Sequence, residues 1–397
     1  MSEATIAEIS TWIVQQGLEG DSLLSLIDGF GTRVAAAGVP VARAYLALPS
    51  IHPTLRSESV TWLRDQPAFH EGQRHGEQLG AWEASPIYFM IRNGLERRRW
   101  DLTDAAAVAQ FPLLGEMRDL GYTEYALHIV GFAGGPTTAL QGVGLTACSD
   151  RPGGFRDQDI LFLNTLVPTL ALAAYRIALS HITAAVLGAY VGRDAGERIL
   201  SGQIVRGEGH RVGAALMFAD LVGFTAVADA SGEGLVGRLG EHLTAIVEPI
   251  EAVGGEVLKF MGDGLLAGYA IDEGADPAPA CAALLAGARE ALVRNALVNA
   301  RHGDNTPLAL DIALHRGEVF YGNVGGGSRL DFTVIGPAVN EASRIERLCG
   351  DLGRPLLMSA DFARCCGTET VSLGQFDLRG VSGKREIFAL ANEGRVR

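Results

Sequence analysis

Two acidic residues stand where strands of the C-terminal half end or turn. Asp220 closely follows the apolar run 214–218, and Asp263 lies between Gly262 and Gly264 at the predicted tip of a hairpin. Carboxylates at the ends of neighbouring strands can share a hard divalent cation, and Mg²⁺ is usually held by one or two carboxylates together with substrate phosphates. Either residue alone is more simply explained as a helix cap or a turn residue, so the pair needs support from the surrounding sequence.

A second pair of polar residues lies on one face of a predicted helix. Asn340 and Arg344 are four residues apart within the segment 337–349, so their side chains project from the same side. From the spacing alone, a surface ion pair of Arg344 with Glu341 or Glu346 is the simpler interpretation. A chemical role depends on the neighbouring motifs.

The order of apolar segments predicts the elements that hold these residues in place. Predicted strands cover 212–218 and 308–314, a predicted hairpin covers 256–270, and predicted helices cover 235–252, 277–299 and 337–349. The resulting order β-α-β-β-α-β is that of a ferredoxin-like sheet, so we expect an α+β fold for this half of the chain.

Four segments of this half resemble, in this order, the class III nucleotidyl cyclases. They are 218–225 (FADLVGFT), 259–263 (KFMGD), 315–325 (HRGEV followed by YGNVG) and 331–344 (DFTVIGPAVNEASR). The resemblance covers residues 210–392, and we expect a catalytic domain over 210–397. It implies an enzyme that joins the ribose 3′-hydroxyl of a nucleoside triphosphate to the α-phosphorus and releases pyrophosphate.

The resemblance also implies roles for individual residues. Asp220 and Asp263, with the backbone carbonyl of Leu221, are expected to hold two Mg²⁺ or Mn²⁺ ions per active site. The turn that contains Phe224 and Thr225 is expected to present backbone N–H groups to the triphosphate without adding charge.

Three cationic or amide side chains complete the implied site. Asn340 is expected to orient the ribose, and Arg344 to stabilise charge on the α-phosphate in the transition state. Arg379 aligns best with a late triphosphate-binding lysine of the family, and Lys384 is the alternative.

Lys259 and Thr333 occupy the two positions that look toward the base in this family. Members that carry Lys with Asp or Thr there contact adenine, whereas guanine-selective members carry Glu and Cys-like residues. We therefore expect an adenylate cyclase that uses ATP, with a GTP-preferring cyclase and a catalytically inactive nucleotide-binding regulator as alternatives. In the family the metal ligands and the Lys come from one subunit and the Thr, Asn and Arg from the other, which implies a homodimer with shared sites.

The composition limits the other function classes. The chain has 397 residues, enough for two or three domains, and 33 Lys+Arg against 46 Asp+Glu give a net charge of −13. This charge argues against a broad nucleic-acid-binding face. No G-x-x-x-x-G-K-[ST] segment is present, which excludes a P-loop enzyme. The five scattered cysteines and the absence of a secretory pattern at the N-terminus predict a cytoplasmic protein with reduced thiols.

The first 159 residues hold all four tryptophans and differ in composition from the rest. Strand-like runs at 44–48 and 124–130 alternate with helical or turn-rich segments, which predicts an α+β module. The segments 142–148 and 155–163 resemble the last strand and the exit helix of a GAF-type domain. We therefore expect a GAF-like regulatory domain over residues 1–159.

This regulatory domain is expected to bind a small organic molecule in an apolar pocket near Trp62, Trp82 or Trp100. A constitutive dimerisation domain is the alternative. The histidines are scattered singly, which disfavours a haem or metal site; they are His52, His70, His75 and His128.

Residues 160–209 are expected to form a helical linker whose Gly-, Arg- and Glu-rich part, 184–209, couples the two domains. The stretch 160–179 is apolar, but its Asn, Pro and Arg residues argue against a membrane span. Pro168 predicts a bend or a helix start nearby. Apolar residues recur here at steps of 4, 3, 4 and 3, which fits either a dimerising coiled-coil seam or an amphipathic helix packed on its own domain. These residues are Leu163, Val167, Leu170, Ala174 and Ile177.

Overall fold

The computed structural model describes residues 2–49, 55–71, 73–74, 79–132, 142–224, 227, 234–303, 306–327 and 329–391. Three residues considered above, His52, His75 and Thr225, lie outside the described residues. The chain divides into two compact units, Met1–Val186 and Leu187–Arg397, and each is described by itself.

The N-terminal unit is an antiparallel sheet with helices on both faces. Its helices are α1 (Glu3–Glu19), α2 (Leu23–Ala36), α3 (Leu79–Glu83), α4 (Pro86–Arg92), α5 (Ala105–Val108), α6 (Pro112–Asp119) and most of α7 (Asp157–Val191). Its strands are β1 (Arg43–Pro49), β2 (Leu55–Leu63), β3 (Gln66–His70), β4 (Gln73–Arg74), β5 (Arg97–Asp101), β6 (Glu124–Gly131) and β7 (Gly142–Ser149). The strand order is β3-β2-β1-β7-β6-β5, with β4 paired to β2. Strands β1, β6 and β7 confirm the predicted strands at 44–48, 124–130 and 142–148.

Each face of this sheet has its own apolar core. On one face, alternate residues of β1 such as Ala44 and Leu46 pack with α1, α2 and α7. On the other face, Trp100 makes edge-to-face contacts with Phe111 and Tyr125 in a core that α4, α5 and α6 help to form. Trp100 is therefore a structural core residue.

Helix α7 supplies much of the first core. The five residues of its predicted seam are all buried there; they are Leu163, Val167, Leu170, Ala174 and Ile177. Of the two interpretations of the seam, the structure supports the amphipathic helix packed on its own domain. The helix begins at Asp157 and continues through Pro168, so the prediction of a helix start beside that proline is wrong. Among the described residues, α7 is the one helix long and apolar enough to cross a membrane, judged by length and composition.

The C-terminal unit contains a second sheet with six helices. The helices are α8 (Arg193–Leu200), α9 (Leu235–Ala252), α10 (Ala278–Arg301), α11 (Pro337–Glu346), α12 (Leu348–Leu352) and α13 (Ala360–Ala363), among the described residues. The strands are β8 (Gly209–Val222), β9 (Glu256–Met261), β10 (Gly264–Ile271), β11 (Ala309–Gly326), β12 (Arg329–Ile335), β13 (Leu356–Ser359), β14 (Thr370–Asp377) and β15 (Lys384–Leu390). The strand order is β14-β15-β13-β11-β8-β10-β9, with β12 paired to β11.

Strands β8 and β11 are longer than the apolar runs at 212–218 and 308–314 that predicted them. They pair in antiparallel fashion along the whole of β8, from Val222 opposite Ala309 to Gly209 opposite Gly322. Glycines and charged or polar residues such as His210, Asp220 and Arg316 interrupt the apolar pattern in the additional segments, which therefore carry less periodic signal. Their backbone groups are nevertheless satisfied by the partner strand, which extends both strands.

The two faces of this sheet have different partners. Ala219 and Leu221 belong to the core formed with α9 and α10, whereas Ala214 and Leu216 belong to the core on the α11 side. Because side chains alternate along a strand, Asp220 lies on the same face as Leu216 and α11. This alternation determines which groups surround Asp220.

Candidate active site

Asp220 lies near the C-terminal end of β8 and is half-buried. Its cross-strand neighbour on β11 is Asp311. Burial raises the pKa of Asp220, the charge of Asp263 raises it further, and Arg347 lowers it. The Asp220 carboxylate is therefore partly desolvated and lies within the field of a second carboxylate, as a cation site requires.

Asp263 lies in the tight turn between β9 and β10, where the sequence predicted a hairpin tip. Gly262 has a φ of +72°, a backbone conformation that favours glycine. Gly264 follows Asp263, and a Cβ on it would lie 2.5 Å from Asp220 Oδ1 and 2.7 Å from the Ala219 carbonyl oxygen. Only glycine at this position allows the hairpin to approach the end of β8 so closely, and this approach brings the two aspartates together.

Two further carboxyl groups lie beside Asp220 that sequence reasoning missed. Burial raises the pKa of Asp311 to about 6, and the charge of Asp220 adds to this. Burial raises the pKa of Glu346 to about 7, with contributions from Asp220 and Asp311, while Arg347 lowers it. A sequence signal for Asp311 existed, because it is the one charged residue in the strand-like run 308–314.

The donor set near β8 suits a hard divalent cation. Among the described residues, neither Asp220 nor Asp263 forms a salt bridge, and no group of three or more His, Cys, Asp or Glu is placed to enclose a metal ion. A pair of carboxylates without a full protein cage is the arrangement typical of Mg²⁺ that is also bound by substrate phosphates. The two aspartates therefore fit the implied metals, and the backbone carbonyl of the neighbouring Leu221 lies at the same strand end.

The predicted phosphate-binding turn is described in part. Gly223 has a φ of +84° and turns the chain out of β8. The side chain of Phe224 is partly buried against the core formed with α9 and α10, so it anchors the start of the turn. Thr225 lies outside the described residues.

Helix α11 carries Asn340 and Arg344 as predicted. Asn340 is exposed, and Arg344 is half-buried with its Nε atom fully buried and without a hydrogen-bond partner in the described chain. The alternative of a surface ion pair is not found, since Glu341 instead accepts a hydrogen bond of 3.1 Å from Arg385. An arginine without a carboxylate partner is available for an anion.

Lys259 and Thr333 have different surroundings. Lys259 Nζ donates to Asp331 Oδ2 at 2.6 Å, and both side chains are about half exposed. Thr333 is only 5% exposed, and its hydroxyl has no hydrogen-bond partner among the described residues. Asp331 and Thr333 are two residues apart on β12, so they lie on the same face of that strand. The Lys259–Asp331 pair was not predicted, because it depends on how β12 folds back toward β9.

The two candidates for the late phosphate-binding cation lie in or beside the turn between β14 and β15. Arg379 is exposed in the turn. Lys384 begins β15, and its Nζ lies 3.9 Å from Asp377 Oδ2. Both side chains are accessible.

In the N-terminal unit, a surface cavity of about 520 Å³ is lined in part by Trp62 and Arg64. Trp62 is buried except where it lines this cavity, and Trp100 belongs to the core described above. His128 is buried and hydrogen-bonded to Asn164 at 2.9 Å, which is a structural arrangement. The cavity lies beside one of the three tryptophans, and most of its lining residues are polar, among them Ser25, Asp28 and Gln66.

Residues 210–392 match the family described as the adenylate and guanylate cyclase catalytic domain. The chain is 33% identical over 181 residues to an adenylate cyclase of Anabaena cylindrica, a match that covers 44% of this chain and 35% of that protein. It is 26% identical over 235 residues to adenylate cyclase 2 of Rhizobium meliloti, covering 57% of this chain and 63% of the relative. The chain therefore spans less than two thirds of the length of either relative.

A solved structure that is similar to part of the chain is the adenylyl cyclase CyaB from P. aeruginosa. The match has 23% identity and a TM-score of 0.43, and it covers 47% of this chain and 98% of that one.

Proposed function

We propose that the cyclase catalytic domain over residues 210–392 converts ATP into 3′,5′-cyclic AMP and pyrophosphate. The observation that carries this proposal is the approach of the Asp263 hairpin to Asp220, which the absence of a side chain at Gly264 permits. The two carboxylates form a site for divalent cations at the end of β8, next to the turn expected to hold the triphosphate.

Asp220 and Asp263 would hold Mg²⁺ or Mn²⁺ in this reaction, with the Leu221 carbonyl as a further oxygen donor. When bound, the two ions lower the pKa of the ribose 3′-hydroxyl and neutralise charge on the departing pyrophosphate. The mutual repulsion of the two carboxylates favours this binding, because a dication relieves it.

Asn340 and Arg344 would act on the sugar and the reacting phosphate. The Asn340 amide can donate to and accept from the ribose hydroxyls, which orients the 3′-oxygen toward the phosphorus. Arg344 would stabilise the charge that develops on the α-phosphate, because its guanidinium has no carboxylate partner among the described residues. The N–H groups that follow Gly223, with Arg379 or Lys384, would bind the remaining phosphates.

Base choice is proposed to depend on Lys259, which donates to adenine N1. Its ammonium has three donors, so it can contact the base while Asp331 fixes it. Thr333 is the proposed second contact, because its buried hydroxyl has no hydrogen-bond partner among the described residues. A preference for GTP is the alternative outcome of the same site.

The active unit is proposed to be a homodimer with shared sites. No hydrogen bond or ion pair within the described chain joins Asn340 or Arg344 to Asp220 or Asp263. A second copy of the chain can supply the Asn340 and Arg344 that complete the site around Asp220 and Asp263. A two-fold symmetric dimer then contains two equivalent sites.

Regulation by the N-terminal unit is also proposed. We interpret residues 1–159 as a GAF-like sensor, 160–209 as the coupler and 210–397 as a catalytic domain with a ferredoxin-like sheet. Helix α8 supports the coupling role, since the Asp194 N–H donates to Glu256 Oε1 at 2.9 Å and Glu256 lies on β9 with Lys259. A small organic ligand beside Trp62, in a cytoplasmic protein, would be the signal.

A product assay with the full chain tests the proposal. ATP or GTP is supplied with Mg²⁺ or Mn²⁺, and the products are identified by mass spectrometry. The expected products from ATP are 3′,5′-cyclic AMP and pyrophosphate, with much less cyclic GMP from GTP. Binding of ATP without any cyclic product would instead identify a nucleotide-binding regulator, and a larger yield from GTP would overturn the base assignment.

A further inference from the structure

Three of the five cysteines lie together in the C-terminal unit, although they are far apart in sequence. Cys281 lies in the first turn of α10, and Cys365 and Cys366 follow α13. All three pack in the core that β8 and β11 form with α9 and α10, on the face of the sheet opposite Asp220. We call these three residues the thiol cluster.

Within the thiol cluster, Cys281 and Cys365 are in direct contact, because their side chains are hydrogen-bonded to each other. Cys366 is oriented differently. Its Sγ atom donates to the carbonyl oxygens of Ala363 and Thr368, at 3.4 and 3.8 Å, within its own segment. The hydrogen-bonded pair therefore joins α10 to the segment that follows α13.

The two thiols of this pair differ in exposure. Cys365 is partly exposed, so a reagent in solution can reach it, whereas Cys281 is fully buried. Burial raises the pKa of Cys281 to about 12, with contributions from Cys365 and Cys366, while Arg316 lowers it. The small thiolate fraction of Cys281 is offset by its position, because a group held in contact with its partner reacts as if it were very concentrated. An accessible cysteine beside a second cysteine is a common arrangement at redox-sensing sites.

We propose that Cys281 and Cys365 form a reversible disulfide when the chain meets a small organic disulfide. In the first step the Cys365 thiolate attacks one sulfur of the organic disulfide, which forms a mixed disulfide and releases one thiolate. In the second step the Cys281 thiolate attacks the Cys365 sulfur, which forms the new S–S bond and releases the second thiolate. The two cysteine protons pass to the two released thiolates, so the cysteine pair is oxidised and the organic disulfide is reduced to two thiols.

The disulfide would connect α10 to the segment after α13 and close a loop of the chain between residues 281 and 365. This loop contains β11, β12 and α11, the helix that carries Asn340 and Arg344. A disulfide stabilises the folded state mainly by restricting the unfolded chain, and it does so more strongly for a long loop. The stability of the C-terminal unit would therefore depend on the redox state of its surroundings.

Peptide mapping of the full chain tests the pair without depending on catalysis. The reduced chain is incubated with glutathione disulfide, the remaining thiols are alkylated in acidic denaturant, and the chain is digested with trypsin. Cleavage after Lys and Arg places Cys281 in the peptide 260–289, and Cys365 with Cys366 in the peptide 365–379. We expect these two peptides to be joined, with a mass about 2 Da below their sum, and to separate on reduction. The absence of the joined peptides, whether the cysteines stay reduced, keep glutathione or pair within 365–379, would overturn the proposal.

Three serine variants provide the matched comparison. Cys366→Ser is the control and should form the link as the wild type does, because the Cys366 thiol is bonded within its own segment. Cys281→Ser should stop at the mixed disulfide on Cys365, and Cys365→Ser should form no link. Loss of the link in Cys366→Ser would contradict the proposal, as would a link that persists in Cys365→Ser. If Cys366→Ser does not fold, fragmentation of the joined wild-type peptides assigns the bond to Cys365, as expected, or to Cys366, which would overturn the proposal.

Discussion

In the N-terminal unit, the most buried carboxylates have arginine partners. Glu124 accepts from Arg99 and from the Phe155 N–H at 2.6 Å, and Asp159 accepts from Arg151 at 2.8 Å. In the C-terminal unit, Asp220 and Asp263 form no salt bridge with any described residue, and two further carboxyl groups crowd the first of them. Arginine partners thus neutralise Glu124 and Asp159, whereas the carboxylates at Asp220 and Asp263 have no such partner.

The difference distinguishes carboxylates that stabilise the fold from carboxylates that are available to bind a cation. A buried carboxylate with an arginine partner stabilises its own surroundings, and removing either partner is costly. Carboxylates that repel one another are costly until a cation arrives, and such clusters are typical of functional sites. The contrast supports the proposed catalysis in the C-terminal unit.

The largest effect is expected from the carboxylate pair itself. Asp263→Asn keeps the size of the side chain and removes the charge that would bind the cation. We expect cyclase activity to fall by at least about a thousandfold, with an unchanged far-UV circular dichroism spectrum. Asp272→Asn, at an exposed position after β10, is the matched control and should keep full activity. Comparable loss in both variants would remove the special role of the pair.

A core truncation in each unit tests whether the two regions are separate. Leu114 and Leu284 are both fully buried, one in each unit, and a Leu→Ala change at such a site costs about 2–5 kcal/mol. All four tryptophans belong to the first unit, so tryptophan fluorescence reports its unfolding. Leu114→Ala should lower the denaturation midpoint seen by fluorescence, and Leu284→Ala should leave it nearly unchanged. Equal shifts would mean that the units unfold as one.

A smaller effect is expected at the ion pair that holds Lys259. Asp331→Asn removes the carboxylate that restrains the lysine side chain, and exposed pairs contribute less than about 1 kcal/mol. We expect the KM for ATP to rise up to about fivefold, with kcat nearly constant and a lower preference for ATP over GTP. Steady-state kinetics with both nucleotides measures this change. An unchanged KM and an unchanged preference would exclude Asp331 from base recognition.

The smallest effect is a pH dependence of stability at Asp311. Its pKa in the folded chain is about 6, above the usual value for aspartate, so ionisation disfavours the folded state as the pH rises from about 4 to about 6. Asp311→Asn removes this unfavourable contribution to the free energy of folding. The variant should therefore gain thermal stability relative to wild type at about pH 8, and gain little or none at about pH 4. A gain that does not depend on pH would contradict the raised pKa.

Much of the C-terminal fold could be predicted from the sequence. The helix predicted at 235–252 has these bounds in α9, and the hairpin predicted at 256–270 matches β9 and β10 to within one residue. These segments have clear apolar periodicity and glycines at the turn. The predicted strands at 212–218 and 308–314 were too short, because polar residues and glycines interrupt the apolar pattern beyond them, while pairing between the two strands extends both.

The immediate neighbours of the candidate site could not be predicted. Asp311 lies opposite Asp220 only because of the register between β8 and β11, and Lys259 meets Asp331 only because β12 folds toward β9. Both contacts join residues far apart in sequence, and one residue of slip would turn the side chains to the other face. The periodicity of α7 could not by itself distinguish a coiled coil from packing on its own domain, because that choice also depends on contacts between residues far apart in sequence.

The claim that one site combines Asp220 and Asp263 with Asn340 and Arg344 of a second copy is tested most directly by mixing inactive variants. Asp263→Ala and Arg344→Ala are unfolded and refolded together, so that half of the dimers are mixed and each mixed dimer has one intact site. The account predicts that the mixture recovers about a quarter of wild-type activity. A mixture of Asp220→Ala with Asp263→Ala should recover none, because every site then lacks a metal ligand. Failure of the first mixture, or equal recovery in both, would contradict the shared site.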